Sequence, residues 1–69
     1  GCLPDDKFMR MYNTGEKPRT MGIAFSVPTA FIMAVLNQLK LPWRVGEERP
    51  VLSRRMLYQL PEPLRELFY

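Results

Sequence analysis

Seven prolines, at positions 4, 18, 28, 42, 50, 61 and 63, cut this 69-residue chain into short segments. A proline inside a helix removes a backbone hydrogen bond and clashes with the preceding turn, at a cost of about 3 kcal/mol. A long uninterrupted helix or coiled coil is therefore excluded, and short elements must stabilise one another by packing. A chain this small has one core at most, worth roughly 3–5 kcal/mol below about 70–80 residues. With 46% hydrophobic residues it can still fill that core. We read residues 1–69 as a single small domain, with residues 1–6 a flexible lead-in.

Between the prolines the hydrophobic pattern changes period. Residues 7–12 carry Phe8, Met9, Met11 and Tyr12, and Asn13 to Pro18 is turn chemistry throughout. From Thr20 to Val27, Met21, Ile23, Phe25 and Val27 alternate with Thr20, Gly22, Ala24 and Ser26, the period-two pattern of a half-buried strand. This spacing predicts a β-hairpin of 7–12 with 20–27. After Pro28 the period becomes 3.6: Phe31, Ile32, Val35, Leu36 and Leu39 form one apolar face of a helix over 28–41, ended by Pro42. A charged connection follows. Two short helices are expected within 53–69, one over 54–60 capped by Ser53 and one over 63–69 opened by Pro63. The fold class on this reading is α+β: an N-terminal hairpin, a central amphipathic helix and one or two short C-terminal helices. The alternative is a single transmembrane helix over 21–43, 23 residues flanked by Arg19 and Arg44, with Trp43 at one edge. Against that alternative stand Pro28, Asn37, Gln38 and Lys40 inside the stretch.

The residue inventory narrows the chemistry. There is no histidine and one cysteine, Cys2, so Cys/His zinc sites, histidine acid/base catalysis and intramolecular disulfides are excluded. Cys2 reads as an unstructured thiol with nothing to activate it, and sparing cysteine use points to an intracellular, reducing compartment. Thr14-Gly15-Glu16-Lys17-Pro18 resembles the linker between tandem zinc fingers of the two-cysteine, two-histidine type. The fingers themselves need histidines, so the five residues are read as a polar turn. The carboxylates left for acid/base work, including Asp5-Asp6 and Glu47-Glu48, lie beside prolines or turns on the expected surface, and adjacent acids on an extended segment point apart rather than sharing one site. No enzyme, cofactor or small-molecule substrate is expected.

Two binding readings remain. A small chain without a staple calls for a partner, either another protein or a second copy, as in a regulator or a subunit of a complex. An apolar stripe of Met56, Leu57, Leu60, Leu64, Leu67 and Phe68 at the C-terminal end, rimmed by arginines, is the expected protein-binding surface. The second reading is nucleic acid. The net charge is +3, and Lys17 to Gly46 contains Lys17, Arg19, Lys40 and Arg44 without one acid, a run of one sign that suits phosphates, anionic lipid or an acidic protein surface. Lys40, Trp43, Arg44, Arg49, Arg54, Arg55 and Tyr58 interleave cations with aromatic rings, the composition of a phosphate-neutralising and base-stacking surface. A third possibility, an accessory subunit of a membrane complex, stands or falls with the 21–43 span.

Overall fold

Pro18 opens a helix rather than a turn into a strand. Its fixed φ suits the first helical position, where its missing N–H would have had no intrahelical partner. The computed structural model describes residues 3–44, 46 and 48–68, and the elements are α1 (Asp5–Asn13), α2 (Pro18–Phe25), α3 (Thr29–Gln38), α4 (Arg54–Tyr58) and α5 (Glu62–Arg65). No sheet forms among the described residues. Their β contact is an isolated parallel bridge between Leu3 and Phe68, in which Leu3 N–H donates to the Leu67 carbonyl at 2.8 Å.

The α+β expectation is therefore corrected to an all-helical bundle. Residues 7–12 lie inside α1, and 20–27 cover most of α2 and the turn after it. The physical reason is that Met21 and Phe25, four apart, share a face in a strand and in a helix alike. Ile23 separates the two: a strand would bury it beside them, and it is 73% exposed. In α1, Phe8 and Tyr12 repeat the same four-residue spacing and are buried, while Asp5 and Asp6 in the first turn and Arg10 in the last complement the helix dipole. The 21–43 span is corrected as well. The Ser26–Pro28 turn divides it, and no helix among the described residues is long and apolar enough to cross a membrane.

The first three helices end in one way. Glu16 N–H donates to Met11 O, Val27 N–H to Gly22 O and Leu41 N–H to Leu36 O, each a six-residue closure around a left-handed residue: Gly15, Ser26 and Lys40 respectively, with φ of 94°, 58° and 57°. These are Schellman closures, which satisfy carbonyls that a helix end would leave bare. The second sets the angle at which α3 leaves α2. There a Cβ on Gly22 would stand 2.9 Å from the Val27 carbonyl oxygen and 3.4 Å from Thr29 Cα, so α3 enters against bare α2 backbone.

The core gathers Phe8 and Tyr12 from α1, Met21 and Phe25 from α2, and Ile32, Val35 and Leu36 from α3, closed by Leu41, Leu52, Leu57, Leu60, Phe68 and Leu3. Phe8 sits among aromatic rings, stacked on Phe25 at 5.9 Å and edge-on to Phe68 at 5.0 Å. Leu3 is fully buried and Asp5 begins α1, within the stretch read from sequence as a flexible lead-in. Cys2, read as an unstructured thiol, lies outside the described residues, as do Glu47 of the adjacent acid pair and Tyr69 of the expected last helix. Ser53 does stand at the N-terminus of α4, yet its side chain makes no capping hydrogen bond; its carbonyl accepts from Met56 and Leu57 instead.

The long connection after α3 is held by the end of α1. Tyr12 Oη donates to the Pro42 carbonyl at 2.7 Å. Asn13 pairs with Leu52 in both directions, Nδ2 donating to its carbonyl at 3.2 Å and Oδ1 accepting from its N–H at 2.8 Å, as a strand neighbour would. The Arg49 guanidinium lies 4.9 Å over the Tyr12 ring and donates to the carbonyls of Tyr12, Glu16 and Trp43 at 3.2, 2.9 and 3.3 Å. These bonds fix Trp43 and Arg44 beside the start of α2.

Candidate nucleic-acid interface

Helix α3 buries Ile32, Val35 and Leu36, with Leu39 half-buried after its end. At 100° per residue the opposite face is centred on Ala30, Ala34 and Asn37, and all three are exposed. Thr29 and Met33 form one flank, half-buried, and Phe31 the other, 45% exposed. The side chains at the centre are short, so the outward surface of α3 stands close to its own backbone. No residue of α3 carries a charge.

The charges lie beside the helix. A cleft of about 330 Å³ separates α3 from the start of α2 and the chain after α3, lined by Thr29 and Met33, by Pro18 and Trp43, and by Lys17, Arg19 and Arg44. A second cleft of about 350 Å³ shares Lys17 and Arg44 with it and continues past Gly15 toward Arg49. Lys17, Arg19 and Arg44 are exposed. Along the chain, residues 17–46 hold no acid, and Glu16 directly precedes Lys17. Three cations converge on one apolar-floored groove beside a neutral helix face.

The residues expected to meet nucleic acid divide into four groups. Trp43 and Arg44 lie in the cleft, with the Arg44 guanidinium 5.7 Å over the Trp43 ring. Lys40 follows α3 as its left-handed terminating residue and is exposed. Arg49 is turned inward onto three carbonyls. Arg54, Arg55 and Tyr58 stand apart on α4, where Arg54 binds the Asp6 carboxylate and lies 3.7 Å from that of Asp5. The hydrogen bond and charge of Asp6, with Asp5 adding to them, hold the Arg54 guanidinium pKa above its ordinary value. Arg65 covers the Tyr58 ring at 4.4 Å. Lys17 and Arg19 enter the sequence reading through the acid-free run and not as individual contact residues. Placing Arg19 beside α3 requires 18–25 to be a helix.

The apolar C-terminal stripe packs inward. Leu57, Leu60 and Phe68 belong to the core, and Met56, Leu64 and Leu67 are half-buried against it. Among the described residues no group of three or more Cys, Asp or Glu side chains is arranged to hold a metal ion. Comparison with protein-family models, curated proteins and solved structures finds no match for this chain.

Proposed function

We propose that this chain binds duplex DNA, with α2 and α3 acting as a helix-turn-helix and α3 entering the major groove. The observation that carries the reading is the short turn at Ser26–Pro28, seated on bare Gly22, inside a stretch with no acid and with cations along one side of α3. A helix-turn-helix presents its second helix to base edges while the first approaches the backbone. Here the outward face of α3 is slim and neutral, and the exposed Lys17, Arg19 and Arg44 beside it are the cations available to neutralise phosphates flanking a groove. The B-form major groove is about 12 Å wide and admits a helix, whereas the major groove of A-form RNA is too narrow, which favours DNA over duplex RNA.

The test is fluorescence anisotropy of the full chain with a mixed-sequence DNA duplex across a salt series. Neutralising three or four phosphates gives a slope of log affinity on log salt of about −3 to −4, at −0.9 per contact. Arg19→Ala and Arg44→Ala each weaken binding to all duplexes alike and flatten the slope by about 0.9. Absence of duplex binding at low salt refutes the proposal.

A protein partner or a second copy is the competing proposal. The C-terminal stripe is largely used within the chain, and among the described residues the exposed large apolar side chains are Ile23, Phe31, Val51 and Tyr58. Single exposed apolar residues are ordinary on protein surfaces. The observations favour DNA.

A further inference from the structure

We infer that α3 reads A·T base pairs, through thymine methyl groups and adenine. This rests on the duplex reading and adds to it the class of sequence that is recognised.

The argument comes from which base readers the helix has and lacks. In the major groove guanine is read chiefly by Arg or Lys on O6 and N7, and cytosine by a carboxylate accepting from N4. Helix α3, from Thr29 to Gln38, contains neither a cation nor an acid. Its outward face can offer the methyl groups of Ala30 and Ala34, the thioether of Met33 on the flank, and the Asn37 amide. Apolar side chains recognise the C5-methyl group of thymine, and an asparagine amide matches the N6–H donor and N7 acceptor of adenine.

The spacing supports one surface for both. Ala30, Ala34 and Asn37 lie four and three residues apart, on successive turns of one helix face. All are exposed, so a base edge can reach them without moving the core. The cations that line the cleft, Lys17, Arg19 and Arg44, belong to the segments before and after α3 and have no place on its central face. Phosphate neutralisation and base reading are thus carried by different segments, and the reading segment lacks the side chains that most often select guanine or cytosine.

The experiment compares the full chain on three DNA duplexes of identical flanks, with an A·T core, a G·C core, and an A·U core in which deoxyuridine replaces thymidine and only the methyl groups are lost. Anisotropy is measured at a salt concentration where phosphate contacts alone bind weakly. The expected order is A·T tightest, with affinity falling roughly fourfold for each contacted methyl group removed. Asn37→Ala is expected to reduce the A·T over G·C preference by about 10-fold or more. Its exposed position and the higher helix propensity of alanine keep the fold, which circular dichroism verifies. Equal affinity for all three cores overturns this inference and leaves the duplex reading standing. An A·T preference that survives both methyl removal and Asn37→Ala also overturns it, since that is the behaviour of minor-groove or shape readout. If no duplex binds at any salt concentration, both proposals fall together.

Discussion

Arg49 offers the sharpest separation between a structural and a binding role, because its charge and aromatic neighbourhood suit either in the sequence alone. Its guanidinium donates to the carbonyls of Tyr12, Glu16 and Trp43 and lies over the Tyr12 ring, so it joins the end of α1, the following turn and the connection that carries Trp43 and Arg44. A hydrogen bond with one charged partner is worth about 1.5–3 kcal/mol, and an exposed cation–π contact about 0.5–1. The side chain is half-buried and water replaces part of what is lost. Arg49→Ala should therefore cost about 2–4 kcal/mol rather than the full sum. In a domain of this size each kcal/mol moves Tm by about 4–8 °C, so the midpoint should fall by about 8–32 °C. Arg49→Lys keeps the charge but not the planar fork that reaches three carbonyls, and should recover less than half of the loss. Thermal unfolding followed by far-UV circular dichroism measures both variants. A Tm unchanged within a few degrees for Arg49→Ala, together with weakened DNA binding, would show that Arg49 faces phosphate and that the clasp is wrong.

Other substitutions test the helix crossing and the core. Gly22→Ala, which normally stabilises a helix interior by up to about 1 kcal/mol, should here destabilise by about 1–2 because its Cβ meets backbone at 2.9 Å; a raised Tm would contradict the close approach. Ser26→Gly should act in the opposite sense, relieving a left-handed residue at φ 58° and raising Tm by a few degrees, while Ser26→Val should lower it. Phe8→Ala removes a fully buried ring packed between Phe25 and Phe68 and should cost about 3–5 kcal/mol, enough to leave the chain unfolded at 25 °C; a cooperative transition with near-parental urea midpoint would disprove its place at the centre of the core.

Part of this architecture was legible in the residues themselves. Prolines are local constraints, so the breaks near Pro18, Pro28 and Pro42 could be read directly, and the 3.6-residue period of Ile32, Val35 and Leu36 identified α3 and its buried face. The acid-free run from Lys17 to Gly46 was visible too, since charge needs no fold to be counted. Other features depended on what each segment meets. Met21 and Phe25 fit two periods equally well, and exposure of Ile23 follows from α3 seating on Gly22, a contact that no local preference encodes. Phe31 satisfied the apolar pattern and still lies on a flank, because α3 is covered from one side only. Arg49 reaches back 37 residues to the Tyr12 carbonyl, and the C-terminal leucines turn inward to complete a core too small to close without them. Periodicity and charge are properties of the chain and its covalent neighbours; the side that is buried, and the partner that a long cation finds, are fixed by close packing between segments distant in sequence.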